Sequence, residues 1–207
     1  MASSLTNYSI DLSTRGRGDE ALAEIKEAVE IYRRLAKQTP ERYEPNLAWS
    51  LTNYSNHLSE RGKGEEEEEE ALAEIKEAVE IYRRLATQTP ERYEPDLAMS
   101  LTNYSNHLSE RGKGEEAREE IEEAVEIYRR LAKQTAERYE PNLALSLSVL
   151  GDRLEEAGDA NKALACCEEA LGLFRKNAER APGFVGRYLA GVEQDLERLK
   201  GKVEGGG

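Results

Sequence analysis

The chain has 207 residues and a net charge of −13, and 34% of its residues are charged whereas only 6% are aromatic. Like charges repel at encounter, so this balance argues against a general affinity for nucleic acid or an anionic membrane and favours basic partners. The sequence contains no apolar run long enough to span a bilayer, and its first residues lack the apolar core of a secretory signal. The two cysteines, Cys166 and Cys167, are adjacent and poorly placed to bridge each other, so we expect a cytoplasmic protein.

The sequence repeats itself. LTNYSNHLSERGKGEE occurs identically at 51–66 and 101–116, a related copy begins at Leu5, and a diverged copy begins at Leu147. Repeats of this length predict an array in which each unit buries its apolar face against its neighbours. The predicted units are 1–46, 47–96, 97–142 and 143–180.

Each unit shows helical periodicity. In AEIKEAVEIYRRLA the apolar residues recur at steps of three and four, which predicts an amphipathic helix of roughly 20 residues, here called helix B. Glycines separate helix B from a preceding helix A, as expected at a helix C-terminus: Gly16, Gly62, Gly112 and Gly158. Prolines predict a bend between one unit and the next: Pro40, Pro45, Pro90, Pro95, Pro141 and Pro182.

The last segment differs from the repeats. Residues 181–203 place Phe184, Val185, Leu189 and Val192 on one helical stripe, which predicts a capping helix that covers the last hairpin. Residues 204–207 are predicted to be disordered. The N-terminus has no equivalent cap, so it is expected to present an open edge.

The repeats carry a known signature. In the fourth unit, small and apolar residues stand at the signature positions of a tetratricopeptide repeat: Leu147, Leu150, Gly151, Leu154, Gly158, Ala163, Cys167 and Ala170. The chain therefore resembles the tetratricopeptide repeat family. Its units are longer than the usual unit of about 34 residues, as in the kinesin-light-chain-like arrays. The resemblance implies an all-α fold, a right-handed α-solenoid of four helical hairpins plus the capping helix.

The candidate site lies on helix A. Asn53 with Asn56, and Asn103 with Asn106, are spaced by three residues and therefore share a helix face. An asparagine side chain both donates and accepts hydrogen bonds. In superhelices of the resembled family helix A lines the concave surface, and similar asparagine ladders hold the backbone of an extended peptide. The alternative is that these asparagines bond neighbouring helices and only stabilise their stacking.

The sequence therefore predicts a non-catalytic scaffold that binds a peptide or protein segment in the concave groove, with basic side chains favoured. The candidate peptide-binding residues are Trp49, Thr52, Asn53, Asn56, Met99, Thr102, Asn103 and Asn106. The alternative is a self-assembling repeat module, or a fragment of a longer repeat protein, that stacks through its uncapped N-terminal hairpin as a homo-oligomer.

Other features favour structural interpretations. The run Glu65–Glu70 is interpreted as an insertion that lengthens helix B at a solvated turn. His57 and His107 have no Cys or His near them in sequence and are interpreted as polar surface or inter-helix residues. Neither a catalytic motif nor a metal or cofactor motif is found, so no enzyme, metal or cofactor is expected.

Overall fold

The computed structural model describes residues 2–62, 64–180 and 182–205. Within these ranges the chain forms nine α-helices and no strand, so the predicted all-α repeat fold is confirmed. The helices are α1 (Ala2–Thr14), α2 (Gly18–Gln38), α3 (Pro40–Arg61), α4 (Glu65–Gln88), α5 (Pro90–Glu110), α6 (Gly114–Gln134), α7 (Ala136–Glu156), α8 (Ala160–Asn177) and α9 (Pro182–Gly205). The A helices are α1, α3, α5 and α7, and the B helices are α2, α4, α6 and α8.

The chain divides into two compact units, Met1–His107 and Leu108–Gly207. In the first unit α1, α2, α3 and α4 each pack against the next helix in the chain. Ala28 and Ala78 are fully buried between A and B helices, because a residue this small lets the two backbones approach closely. Larger side chains such as Ile25, Leu51 and Ile75 also have no exposed surface and belong to the core of this unit.

In the second unit α6, α7, α8 and α9 pack in the same sequential manner. The ring of Phe174 on α8 is fully buried and stacks on Tyr188 of α9, with 6.1 Å between the ring centroids. The last turn of α9 is held by Lys202, whose Nζ lies 2.5 Å from a carboxylate oxygen of Glu155.

This ion pair gives a physical reason for a correction at the C-terminus. Residues 204–207 were expected to be disordered, but α9 continues through Gly205. Gly206 and Gly207 lie outside the described residues, as do Met1, Lys63 and Ala181.

Three of the prolines border the predicted bends as the first residue of a helix, whereas the other three lie inside the A helices. Pro40 is the first residue of α3 and Pro45 lies inside it, so the lead-in ERYEPNLA belongs to helix A. A proline at the first helical position loses no hydrogen bond, and Pro45 forgoes one only to the carbonyl of Glu41, an exposed residue. The connection is a single residue, Thr39, whose N–H donates to the Leu35 carbonyl while its own carbonyl accepts from the next helix.

The turns between helix A and helix B contain a glycine at the end of helix A, as predicted. Gly16 has φ of +74° and Gly62 has φ of +59°, the left-handed conformation that ends a helix with little strain only at glycine. The glutamate insertion lengthens α4 to 24 residues, against 21 for both α2 and α6. Helix B therefore grows at its N-terminus, as the sequence predicts.

Candidate peptide-binding face

One side of helix α3 packs against B helices. Tyr54 is 2% exposed, and its O–H donates to a carboxylate oxygen of Glu70 on α4 at 2.6 Å. The Nζ of Lys26 on α2 lies 5.8 Å from the centroid of the same ring. Burial raises the pKa of Tyr54 to about 12, so the phenol remains a donor at neutral pH. This side of α3 is closed to a ligand.

The flanks of α3 contact the neighbouring A helices through hydroxyl pairs. Thr6 Oγ1 lies 3.0 Å from Ser50 Oγ, and Thr52 Oγ1 lies 3.1 Å from Ser100 Oγ. The hydroxyl pairs therefore join α1 to α3 and α3 to α5.

Two of the predicted binding residues need correction. Thr52 is 2% exposed and Thr102 is 6% exposed, so both lie inside the helix packing and not on an open face. Their hydroxyls also donate to carbonyls one turn earlier in the same helix, those of Ala48 at 3.0 Å and Ala98 at 2.9 Å. The small threonine side chain fits between closely packed helices. The residue pattern along one helix does not reveal this contact.

The remaining side of α3 and α5 carries the asparagines, all of them half-buried. Asn103 Nδ2 donates to Asn56 Oδ1 at 3.2 Å, which links α5 to α3. Asn53 Nδ2 donates to the Trp49 carbonyl at 2.7 Å within α3. The structure therefore brings Asn56 and Asn103 together, and each of them keeps one polar group outside this bond.

Apolar side chains lie one turn before the asparagines. Trp49 is 37% exposed and precedes Asn53 by four residues, and the half-buried Met99 stands in the same relation to Asn103. We call the surface formed by these side chains the asparagine face: Trp49, Asn53, Asn56, Met99, Asn103 and Asn106. All of it belongs to the first unit.

The two histidines lie at the end of this face as inter-helix residues. His107 Nδ1 lies 3.2 Å from Ser59 Oγ of α3, and burial lowers the pKa of His107 to about 4, so its ring is neutral at physiological pH. Glu60 lies 3.5 Å from His57 Nδ1 and accepts from Ser13 Oγ of α1 at 2.9 Å. The sequence pattern drew attention to the histidines alone and did not predict the contacts made by Ser59 and Ser13.

Among the residues that the structure describes, no group of three His, Cys, Asp or Glu side chains could hold a metal ion. No helix in the described ranges is long and apolar enough to cross a membrane.

The B helices are joined by arginine–glutamate pairs. In the first unit Arg33 of α2 contacts Glu74 and Glu77 of α4 at 2.6 and 2.5 Å. In the second unit the equivalent contact joins Arg129 of α6 to Glu169 of α8 at 2.5 Å. Because the arginine has the same position in the YRRLA segment, the pair marks a recurring contact between successive repeats.

Sequential helical hairpins with small residues inside each hairpin and recurring links between hairpins define an α-helical repeat protein. A tetratricopeptide repeat family model matches residues 1–39 and 97–135. The chain thus contains tetratricopeptide repeats, which generally mediate protein–protein interaction and are generally non-catalytic.

Two solved structures are similar over nearly the whole chain. One is a crystal structure of nearly identical tetratricopeptide-like repeats of a putative kinesin light chain from Podosopora anserina. It is 18% identical, the match covers 97% of this chain and 95% of that chain, and the TM-score is 0.64. The other, a crystal structure of a variant of the same protein, is 19% identical over 98% of this chain and 95% of that chain, also with a TM-score of 0.64. At such identity the likeness shows the fold. No curated protein matches the sequence significantly.

Proposed function

We propose that the protein is a non-catalytic scaffold that binds an extended peptide or protein segment along the asparagine face. The observation that carries this proposal is the environment of α3 in the first unit. Tyr54 is buried against B helices and Thr52 against α5, whereas Trp49 remains 37% exposed beside half-buried amides. A large exposed aromatic next to polar groups is typical of recognition surfaces.

The amides fit the chemistry of a peptide backbone. The Asn56–Asn103 bond uses one donor and one acceptor, which leaves Asn56 Nδ2 to donate and Asn103 Oδ1 to accept. Asn53 keeps its carbonyl oxygen, and Asn106 has no partner among the described side chains. An extended peptide presents alternating N–H and C=O groups, so this row can hold the backbone with little dependence on sequence.

Apolar and charged groups supply the rest of the recognition. Trp49 and Met99 offer a place for an apolar side chain of the ligand. The net charge of −13 favours ligands with basic side chains. We expect an affinity of about micromolar, roughly −8 kcal/mol, which is common for transient recognition.

A peptide selection tests this function directly. Peptides from a random phage-displayed library are selected on the immobilised protein, and an enriched peptide is synthesised with a fluorescent label for anisotropy titration. The variant Asn53→Ala/Asn106→Ala removes the two amides that do not take part in the Asn56–Asn103 bond and leaves that bond in place. The matched control Gln88→Ala/Asn161→Ala removes two exposed amides at the ends of α4 and α8.

We expect the asparagine variant to weaken binding about thirtyfold, because it loses two hydrogen bonds worth about 1 kcal/mol each, and the control to bind unchanged. A peptide with N-methylated backbone amides should also bind more weakly. Equal binding by both variants and the original chain, with helicity unchanged by circular dichroism, would contradict the role of the asparagine face. Absence of any enriched peptide would contradict peptide binding itself.

A further inference from the structure

The contact between the first and second hairpins shows what one repeat requires from its neighbour. Lys26 of α2 lies over the ring of Tyr54, and its Nζ is 3.4 Å from a carboxylate oxygen of Glu70. The second hairpin therefore offers an aromatic ring and a carboxylate to a basic side chain of the preceding helix B.

A second basic side chain of α2 completes the contact. Arg33 follows Lys26 by seven residues, about two helical turns, so both side chains lie on the same side of α2. The guanidinium of Arg33 pairs with Glu74 and Glu77 of α4. One repeat therefore contributes a tyrosine and three glutamates, which we call the acceptor surface. The preceding repeat contributes a helix with two basic side chains seven residues apart.

The first repeat carries the same acceptor surface, and no helix of the described residues lies against it. The residues equivalent to Tyr54, Glu70, Glu74 and Glu77 are Tyr8, Glu20, Glu24 and Glu27. Tyr8 is 46% exposed, whereas Tyr54 is 2% exposed. Glu20 pairs only with Arg17 of its own turn, and in the part of the chain that the structure describes Glu24 and Glu27 have no ion pair.

An aliphatic residue on α2 shows the same difference. Ile31 is half-buried, while its equivalents Ile81 and Ile127 are 6% and 5% exposed. We call this surface the N-terminal edge: Tyr8, Glu20, Glu24, Glu27 and Ile31. It combines apolar area with carboxylates in the arrangement that receives a basic helix elsewhere in the same unit.

We propose that the N-terminal edge binds an amphipathic α-helix of a partner protein that carries Lys or Arg at two positions seven residues apart. The charge of the site and the continuity of the repeat contact support this occupant. The edge is formed by α1 and α2, so it is separate from the asparagine face on α3 and α5.

A second copy of this chain fits the edge less well. The basic side chains that could serve as donors are already used within each unit: Arg33 contacts α4, and Arg129 contacts Glu169 of α8. Arg175 of α8, in the same position of its repeat, pairs with Glu193 of α9 at 2.8 Å. An intact second copy would have to release one of these contacts before it could supply the basic helix.

The probe for the test is a labelled peptide with the sequence of α2, residues 18–38, held helical by a lactam bridge on its exposed side. Its binding to the intact chain is measured by fluorescence anisotropy. The edge variant is Glu24→Lys/Glu27→Lys. The matched control is Glu119→Lys/Glu126→Lys, which changes the net charge equally at exposed positions of α6.

We expect the edge variant to weaken peptide binding at least about tenfold and the control to change it less than about twofold, because close charge pairs are sensitive to reversal whereas remote charges act weakly. A peptide with Lys26→Glu/Arg33→Glu should regain binding to the edge variant. Asn53→Ala/Asn106→Ala should leave this binding unchanged, which separates the edge from the proposed peptide-binding function.

Three results would overturn the proposal. The first is an absence of binding by the α2 peptide. The second is equal weakening by the edge variant and the control. The third is a dimer in sedimentation velocity that the edge variant dissociates, because that result would identify a second copy as the occupant.

Discussion

The first and second repeats differ little in sequence but occupy different environments. Tyr8 and Tyr54 have the same position in the TNYS segment, yet Tyr8 is 46% exposed and Tyr54 is 2% exposed. The difference arises from α2, which covers Tyr54 and has no counterpart over Tyr8 among the described helices. In a repeat array, the environment of a side chain thus depends on the neighbouring repeat as much as on the local sequence.

The end of the last hairpin shows the opposite situation within the second unit. Phe174 is fully buried and stacks on Tyr188 of α9, and Arg175 pairs with Glu193 of the same helix. The capping helix thus provides both the apolar and the ionic contacts that a further repeat would provide. The N-terminal edge has neither, and this asymmetry leads to four predictions.

The largest expected effect distinguishes the two tyrosines. Tyr54→Ala should lower the free energy of unfolding by about 3–5 kcal/mol, because it leaves a cavity and removes the hydrogen bond from Tyr54 to the Glu70 carboxylate. Tyr8→Ala should lower it by about 0.5 kcal/mol or less, because 46% of the Tyr8 side chain is already exposed to water. Urea denaturation followed by circular dichroism measures both. Equal losses would show that Tyr8 is buried in solution, as in a self-associated form.

A contact inside each hairpin should not distinguish the two repeats. Ala28 and Ala78 are both 0% exposed between an A and a B helix, so a larger side chain must push the helices apart. We expect Ala28→Leu and Ala78→Leu each to lower the free energy of unfolding by about 1–3 kcal/mol. The control Ala23→Leu is at an exposed position of α2 and should have almost no effect. A large difference between the two buried variants would contradict the equivalence of the hairpins.

The fourth repeat departs from its copies at Asp152, which stands where the second and third repeats have Asn56 and Asn106. Burial, followed by the nearby charge of Asp195, raises the pKa of Asp152 to about 6. The other charged side chains that act on this carboxylate are Arg153, Glu156 and Arg198. The folded state therefore takes up a proton before the unfolded state does, and the second unit gains stability as the pH falls from about 7 toward 4.

Asp152→Asn should remove this pH dependence by restoring the neutral residue of the repeat. We expect a gain of roughly 1 kcal/mol at pH 7, less than the full shift implies because the side chain is partly exposed. The gain should shrink as the pH falls through 6 and vanish near pH 4. Parallel denaturation series at pH 7, 5.5 and 4 provide the measurement, and a gain that does not change with pH would contradict the buried charge as its cause.

The sequence predicted the helices well because their signals are local. The steps of three and four in AEIKEAVEIYRRLA and the glycine at each turn depend on one hairpin alone. Pro45 was misread because proline usually ends a helix, whereas here it lies near the start of α3, where only one hydrogen bond is lost.

Residues that contact another repeat were harder to predict. Thr52 was placed on the binding surface, but its environment depends on Ser100, 48 residues further along the chain. The asparagine pattern indicated a shared face, with bonds to neighbouring helices as the alternative, but the pairing of Asn56 with Asn103 needs the register of two helices. Similarly, the sequence predicted an open N-terminal edge, but the unpaired state of Glu24 and Glu27 became evident only from the contacts of Arg33 with the next repeat.

The smallest expected effect concerns the run Glu65–Glu70, the main difference in length between the second repeat and its copies. Deletion of four of these glutamates restores the turn KGEEA of the third repeat and keeps a glutamate at the position that accepts from Tyr54. One Glu67 oxygen lies 3.5 Å from Arg61 and the other is buried without a hydrogen-bond partner, while Arg61 also contacts Asp19 at 3.1 Å. Since a weak contact and an unsatisfied oxygen are lost together, we expect the free energy of unfolding to change by less than about 0.5 kcal/mol. Circular dichroism should show the loss of one helical turn, and a larger loss of helicity would mean that the insertion supports the contact between the first two hairpins.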